Sequence, residues 1–191
     1  MLDTLLISTG LVAIAEIGDK TMLLAILLAA RFQKPWPVIF GILVATLANH
    51  ALAAALGVFA GGFLQGPWVR WVLGAVFLGF AAWTLIPDKF DDSQETKASG
   101  GVFLTTLVAF FLVEMGDKTQ VATVALGAQF DNLLAVTAGT TCGMMLANVP
   151  AVLFGEALAK RVPMRALQVG AALLFQLLGL WMIAGLQGWI G

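Results

Sequence analysis

The chain has 191 residues, of which 60% are hydrophobic and 11% are charged, and its net charge is -1. A soluble globular domain is usually about 45–50% apolar, so this composition, with a mean hydropathy of +0.96, predicts an integral membrane protein and excludes an ordinary soluble enzyme. No basic cluster suggests nucleic-acid binding, and the single Cys142 excludes an intramolecular disulfide framework.

Six apolar stretches meet the length of about 20 residues that a membrane-crossing helix needs, and they predict an all-helical protein with six transmembrane helices. In chain order they are Leu5 to Ala29, Val38 to Gly57, Val69 to Ile86, Val102 to Gly127, Leu134 to Gly155 and Leu167 to Gln187. Because no Lys or Arg precedes the first stretch, we expect it to be retained as a helix and not removed as a signal peptide.

A polar segment at residues 88–101 divides the chain into two related halves of three stretches each, residues 1–87 and 102–191. Its composition is typical of a solvated linker. A shift of 98 residues superimposes Gly41 on Gly139 and Trp83 on Trp181. Since three is an odd number, the second half must cross the membrane in the opposite sense, which predicts two inverted three-helix repeats, as in many secondary transporters.

The basic residues predict the orientation of these helices. Seven of the ten Lys and Arg residues lie in the first, third and fifth loops, and Arg70 alone lies on the opposite side. We therefore expect those three loops in the cytoplasm, both termini outside, and a location in the cell inner (plasma) membrane.

The most unusual feature is a charged hexapeptide that occurs once in each half, inside an apolar stretch. It reads Glu-Ile-Gly-Asp-Lys-Thr at residues 16–21 and Glu-Met-Gly-Asp-Lys-Thr at residues 114–119. At the centre of a bilayer each charged residue costs about 2.5 to 3.5 kcal/mol on an insertion scale, so pairing, water or a bound ion must compensate. Inverted repeats bring equivalent positions together, so we expect four carboxylates to converge at one depth.

The paired motifs carry four acids and two lysines, which leaves a formal charge of -2 that one divalent cation balances. Carboxylate oxygens suit Mg2+, Ca2+ or Mn2+, whereas zinc and copper sites normally recruit His, Cys or Met as well. Gly18 and Gly116 permit close helix approach and, if the helix loosens there, exposure of a backbone carbonyl. Thr21 and Thr119 point away from the acids on an ideal helix and would join the site only if that loosening occurs.

Carboxylates held close together in a medium of low dielectric bind protons readily, so protons and a dication would compete for the same oxygens. This competition is a physical basis for exchange. The ion and the protons are then the substrates, and no cofactor is expected.

The doubled signature, on the first and fourth of six stretches with a polar central linker, resembles the Gdt family of cation/proton exchangers, whose bacterial members include manganese exporters. The resemblance covers essentially the whole chain and implies Mn2+ transport, with Ca2+ handled by some relatives. The ion-binding acids that it implies are Glu16, Asp19, Glu114 and Asp117. The other motif residues that it implies are Lys20, Lys118, Thr21, Thr119 and Gln120. Met22 stands where the second motif has Gln120, so the two halves need not be chemically equal.

Three polar residues of the second and fifth stretches are further candidates. Asn49 and Asn148 align with a shift of 99, whereas the strict shift of 98 places His50 opposite Asn148. Such residues often make ordinary interhelical hydrogen bonds, and a role in ion passage is the alternative.

Other functions remain open at this stage. The motifs could be structural ion pairs, Glu16 with Lys20 and Glu114 with Lys118, that lock two helices together. The chain could also be a passive divalent cation channel or a membrane-embedded metal-dependent enzyme, although no nucleophile constellation supports an enzyme. The sequence does not decide between Mn2+ and Ca2+, nor the oligomeric state.

Overall fold

The structure is a computed structural model that describes residues 1–63, 66, 68–86, 101–161 and 164–184. Side chains are described for all of these except residues 156–161 and 164–168. The predicted linker at residues 88–101 therefore lies outside the described residues apart from Gly101, which begins a helix.

The described residues form helices and no strands, which confirms the all-helical class. The eight helices are α1 (Leu2–Glu16), α2 (Lys20–Phe32), α3 (Pro35–Phe63), α4 (Val69–Thr84), α5 (Gly101–Glu114), α6 (Lys118–Phe130), α7 (Leu133–Arg161) and α8 (Met164–Ile183).

The prediction of one continuous helix was wrong for the first and fourth stretches. Each is two helices, α1 with α2 and α5 with α6, and each break falls inside the charged hexapeptide. The apolar pattern does not reveal the breaks because it continues on both sides of them. The physical cause is a glycine with a positive φ at each break, described below.

Within the ranges that the structure describes, two helical segments are long and apolar enough to cross a membrane, Pro35–Phe63 and Leu133–Gly155. The second ends where α7 is kinked, at Gly155, whose φ of 47° and ψ of -126° are not helical. Val69–Thr84, Gly101–Glu114 and Val169–Ile183 are shorter apolar helices. The six-span arrangement itself stays a prediction.

The most extensive helix packing joins the part of the chain before residue 87 to the part after residue 101. α1 packs on α7, α3 on α5, α6 and α7, and α4 on α8. Small residues allow these close crossings, as is usual between membrane helices. A Cβ added at Gly127 of α6 would lie 2.6 Å from the carbonyl oxygen of Ala54 in α3, and one at Gly143 of α7 would lie 2.6 Å from that of Thr9 in α1.

The described residues differ from those of a soluble protein in their apolar outer surface and in the charged groups buried inside. Large apolar side chains cover the outside, for example Phe40, Leu52 and Phe59 of α3, which are 53%, 58% and 67% exposed. The interior contains charged and polar groups, among them both glutamates of the hexapeptides, which are at most 1% exposed. Such a surface is stable when hydrocarbon and not water surrounds it.

Candidate metal centre

The two hexapeptides have the same backbone geometry. α1 ends at Glu16, Gly18 has a φ of 92°, and Asp19 precedes the first residue of α2 in an extended conformation. In the second hexapeptide, Glu114 ends α5 and Gly116 has a φ of 79°. One hydrogen bond closes each turn, from the Asp19 N–H to the Glu16 carbonyl and from the Asp117 N–H to the Glu114 carbonyl, both at 3.0 Å.

Each glycine allows the backbone to turn by adopting a positive φ. At Gly116, close helix packing does not explain why the residue is a glycine. A positive φ is costly for residues with a Cβ, and glycine avoids that cost. A Cβ added at Gly116 would meet no atom within 4 Å, so the expectation that this glycine permits close helix approach was wrong. Loosening of the helix, the other possibility, is what the structure shows.

The breaks bring acids of both hexapeptides together in the interior. Glu16, Asp19 and Asp117 each place one carboxylate oxygen within 4.8 Å of the others. These three residues are 0%, 7% and 3% exposed. Buried carboxylates at this spacing repel one another, so a positive charge between or beside them stabilises the arrangement.

The fourth acid is connected to this cluster through a threonine. The Thr119 hydroxyl lies 2.5 Å from Glu114 Oε1, to which it donates, and 3.4 Å from Asp117 Oδ2. In the first hexapeptide the Thr21 hydroxyl donates to Glu16 Oε2, also at 2.5 Å. Both threonines thus contact the acids. The sequence predicted this contact only if the helix is broken, and the helix is broken at both motifs.

The lysine of the first hexapeptide pairs with the second hexapeptide. Lys20 Nζ lies 2.7 Å from Asp117 Oδ1. The alternative of a structural pair between Lys20 and Glu16 within one helix was therefore wrong, because the break removes the helical spacing on which it depended. Lys118 Nζ donates to the carbonyl oxygen of Ile86, just beyond α4, at 3.1 Å.

Several buried oxygens of the site have no hydrogen-bond donor among the residues that the structure describes. They include Oε1 of Glu16 and Oε2 of Glu114. A buried carboxylate oxygen without a donor is costly, and it is an acceptor that a cation or a proton can satisfy.

The two asparagines have different environments. Asn49 donates to the carbonyl oxygen of Phe111 at 3.0 Å, which is an interhelical bond between α3 and α5. Asn148 donates within its own helix to the carbonyl oxygen of Met144, also at 3.0 Å. Asn148 Oδ1 is buried and has no donor in the described part of the chain.

Three contacts of the site were not predicted from the sequence. Gln120 Oε1 accepts the Gly116 N–H at 2.6 Å, and Met22 Sδ accepts the Gly18 N–H at 3.4 Å. His50 Nε2 lies 3.7 Å from Glu114 Oε1. The sequence indicated these residues only through their positions. Met22 and Gln120 directly follow the hexapeptides, and His50 follows Asn49.

A small cavity adjoins the acids. Its volume is about 10 Å³, and its lining includes Gly18, Asp19, Lys118, Thr119 and Phe175. A space of this size holds about one water molecule. An ion of similar size could bind there.

The combined site is chemically suited to a hard dication. Its four carboxylates and two ammonium groups give a formal charge of -2, and the available ligands are oxygens, which Mg2+, Ca2+ and Mn2+ prefer. In the structure Lys20 neutralises part of this charge. A bound dication would have to share or replace that contact.

Comparison with known proteins agrees with this chemistry. The model of the family described as "Divalent cation/proton antiporter GDT1" matches residues 4–92 and 102–188. A Vibrio cholerae protein named "Putative manganese exporter" is 50% identical over 94% of this chain and 90% of its own length. A GDT1-like protein of Synechocystis is 30% identical, over 87% of this chain and 90% of its own.

A plant relative is more distant. GDT1-like protein 5 of Arabidopsis thaliana is 27% identical over 91% of this chain and 92% of its own length. No solved structure matches the chain. The family match covers nearly all of the sequence and both hexapeptides, so the chain belongs to the GDT1 family of divalent cation/proton antiporters, which are transporters and not enzymes.

Proposed function

We propose that this protein exports Mn2+ from the cytoplasm in exchange for protons, with Glu16, Asp19, Glu114 and Asp117 as the ion-binding acids. The observation that carries the proposal is the convergence of Glu16, Asp19 and Asp117, with one carboxylate oxygen each within 4.8 Å. The name of the Vibrio cholerae relative, 50% identical, supports Mn2+ as the exported ion.

Exchange follows from competition for the same oxygens. Proton binding reduces the negative charge of the carboxylates and weakens their attraction for a dication, and loss of the protons restores it. Coupled exchange requires that the ion and the protons do not occupy the site together. The threonines keep one oxygen of each glutamate oriented in the structure, which leaves the other oxygen available to either ligand.

Alternating access is the proposed transport mechanism. The cavity beside Asp19 holds about one water-sized particle, which suits a site that binds a single ion at a time. The broken helices supply movable elements, as in other transporters with interrupted helices. The two halves would be inverted repeats, in which α1 corresponds to α5, α3 to α7 and α4 to α8. The packing of α1 on α7 then has its counterpart in that of α3 on α5, and α4 packs on its own counterpart α8, which supports a twofold relation between the halves.

The proposed location is the inner (plasma) membrane, with both termini on the outer side. The support is the concentration of basic residues in the first, third and fifth loops. An inward proton gradient across this membrane would drive the ion out of the cytoplasm as protons enter.

The test is Mn2+ movement in proteoliposomes with an imposed pH gradient. Asp19→Asn and Asp117→Asn each remove one charge without changing the side-chain size. We expect each to reduce proton-coupled Mn2+ transport by about 100-fold, because loss of one partner in a buried charge network costs about 3 kcal/mol. Asp3→Asn, at an exposed acid of the first turn of α1, is the matched control and should transport normally.

Two results would overturn the proposal. Full activity in both aspartate variants would remove the acids from the ion site. Mn2+ flux that does not respond to the pH gradient and that proceeds at channel-like rates would indicate a passive pore. Parallel assays with Ca2+ measure whether the protein also carries that ion.

A further inference from the structure

His50 is the most isolated polar side chain near the acids. It lies in α3, is 0% exposed, and neither Nδ1 nor Nε2 has a hydrogen-bond partner within the part of the chain that the structure describes. A buried imidazole normally has at least one partner, because burial without one is costly. Its environment therefore calls for a ligand that the described residues do not supply.

The position of the ring indicates which ligand that is. His50 Nε2 lies 3.7 Å from Glu114 Oε1, which is beyond ordinary hydrogen-bond length. Two ligand atoms that bind one ion at about 2.1 to 2.2 Å, with angles from 90° to 115°, are roughly 3.0 to 3.7 Å apart. The separation is thus within the range that one metal ion can bridge.

Glu114 is able to contribute to such a bridge. Its Oε1 accepts the Thr119 hydroxyl with one of its two lone pairs, so the other lone pair can bind an ion. Its Oε2 is buried with no donor among the described residues. Asn49, which precedes His50 in the sequence, donates its hydrogen bond to the Phe111 carbonyl and not to the imidazole.

We infer that His50 supplies a nitrogen ligand, next to Glu114, that makes the ion site prefer first-row transition dications such as Mn2+ over Ca2+ and Mg2+. Imidazole nitrogen binds transition metals well, whereas Ca2+ and Mg2+ take oxygen ligands almost exclusively. At the corresponding position of the second half, with a shift of 98, stands Asn148 and not a second histidine. The nitrogen would make the site unequal between its halves.

This inference rests on the proposed function, and a spectroscopic test separates the two. The chain contains a single histidine, so labelling with 15N-histidine marks His50 alone. Pulsed electron paramagnetic resonance of the Mn2+-loaded, purified protein, without a histidine tag, should show nitrogen coupling that changes with 15N labelling. It should disappear in His50→Gln while Mn2+ still binds.

A transport assay measures the consequence for selectivity. In His50→Gln and His50→Asn we expect the ratio of Mn2+ to Ca2+ transport to fall by roughly tenfold, the size of effect typical for groups that support a bound metal. Asp3→Asn, at the exposed acid used as the control of the transport assay, should keep the wild-type ratio. A purely structural histidine would lower both activities together and leave the ratio unchanged.

The outcomes are distinguishable. Bound Mn2+ without a histidine signal in the wild-type protein overturns the inference even if Mn2+/proton exchange is normal, and this experiment needs no variant. No Mn2+ binding at all overturns it too. A histidine signal in a protein that does not exchange Mn2+ for protons supports the ligand and refutes the proposed function instead.

Discussion

The two hexapeptides share a backbone but differ in the side chains around it. In both, a glycine with positive φ breaks the helix between a glutamate and an aspartate. The Gly18 N–H meets the sulfur of Met22 at 3.4 Å, whereas the Gly116 N–H meets the amide oxygen of Gln120 at 2.6 Å. A thioether is a weak acceptor and an amide oxygen a good one.

The second hexapeptide is also more connected to its surroundings. Gln120 reaches Asn49 Oδ1 at 3.4 Å, Thr119 lies near both acids of its motif, and His50 is adjacent to Glu114. The two turns and the two sets of acids therefore correspond, but the neighbours of each set differ. The comparison teaches that equivalent positions in the two halves should respond differently to the same substitution.

The largest effect on stability is expected where the two motifs touch. Lys20→Met leaves the buried Asp117 without its 2.7 Å partner and should destabilise the ion-free protein by about 2 kcal/mol, below the 3–5 kcal/mol of fully buried pairs because Lys20 is 25% exposed. A dication can replace the missing charge, so Mn2+ should raise the melting temperature more in this variant than in the wild type.

The control for this prediction is Lys34→Met, at an exposed lysine, which should have little effect. Equal melting temperatures for the two variants would contradict the importance of the contact between motifs.

The next effect concerns the shared backbone. Gly116→Ala adds a methyl group that meets nothing within 4 Å but forces a residue with a Cβ to a φ of 79°, at a cost of about 1 to 2 kcal/mol. Gly10→Ala, in the interior of α1 and equally free of close atoms, should instead be neutral or stabilising by about 0.5 to 1 kcal/mol. Thermal unfolding in detergent measures both. If the two variants change stability in the same direction, the turn is not the reason for the glycine.

The smallest effect tests the difference between the motifs directly. Gln120→Met gives the second motif the side chain of the first and removes a good hydrogen bond, which should cost about 1 kcal/mol and weaken Mn2+ binding several-fold. Met22→Gln makes the reverse change and should leave Mn2+ binding within about threefold of the wild type, since the Met22 sulfur is a weak acceptor for the Gly18 N–H. Titration of the purified proteins with Mn2+ compares them. Identical affinities would show that the asymmetry has no consequence for the ion.

Much of this arrangement could be predicted from the sequence. The doubled hexapeptide identified the buried acids, and Gly18 and Gly116 indicated where a helix could loosen. The partner of Lys20 could not be predicted, because helical spacing suggested Glu16 and the broken helix makes that spacing irrelevant. The proximity of His50 to Glu114 was hidden as well, since the two residues are 64 positions apart and no pattern links them.

The sequence by itself determined which residues are charged within apolar stretches and that they occur twice, because hydropathy and repetition are local properties of the chain. It thereby determined that these charges need compensation from protons, ions or one another. Only the tertiary structure decided which groups provide it: Lys20 beside Asp117, Thr119 beside Glu114, and His50 without a hydrogen-bond partner among the described residues. Electrostatic and hydrogen-bond partners depend on distances of a few ångströms, and those distances are set when the helices break and pack.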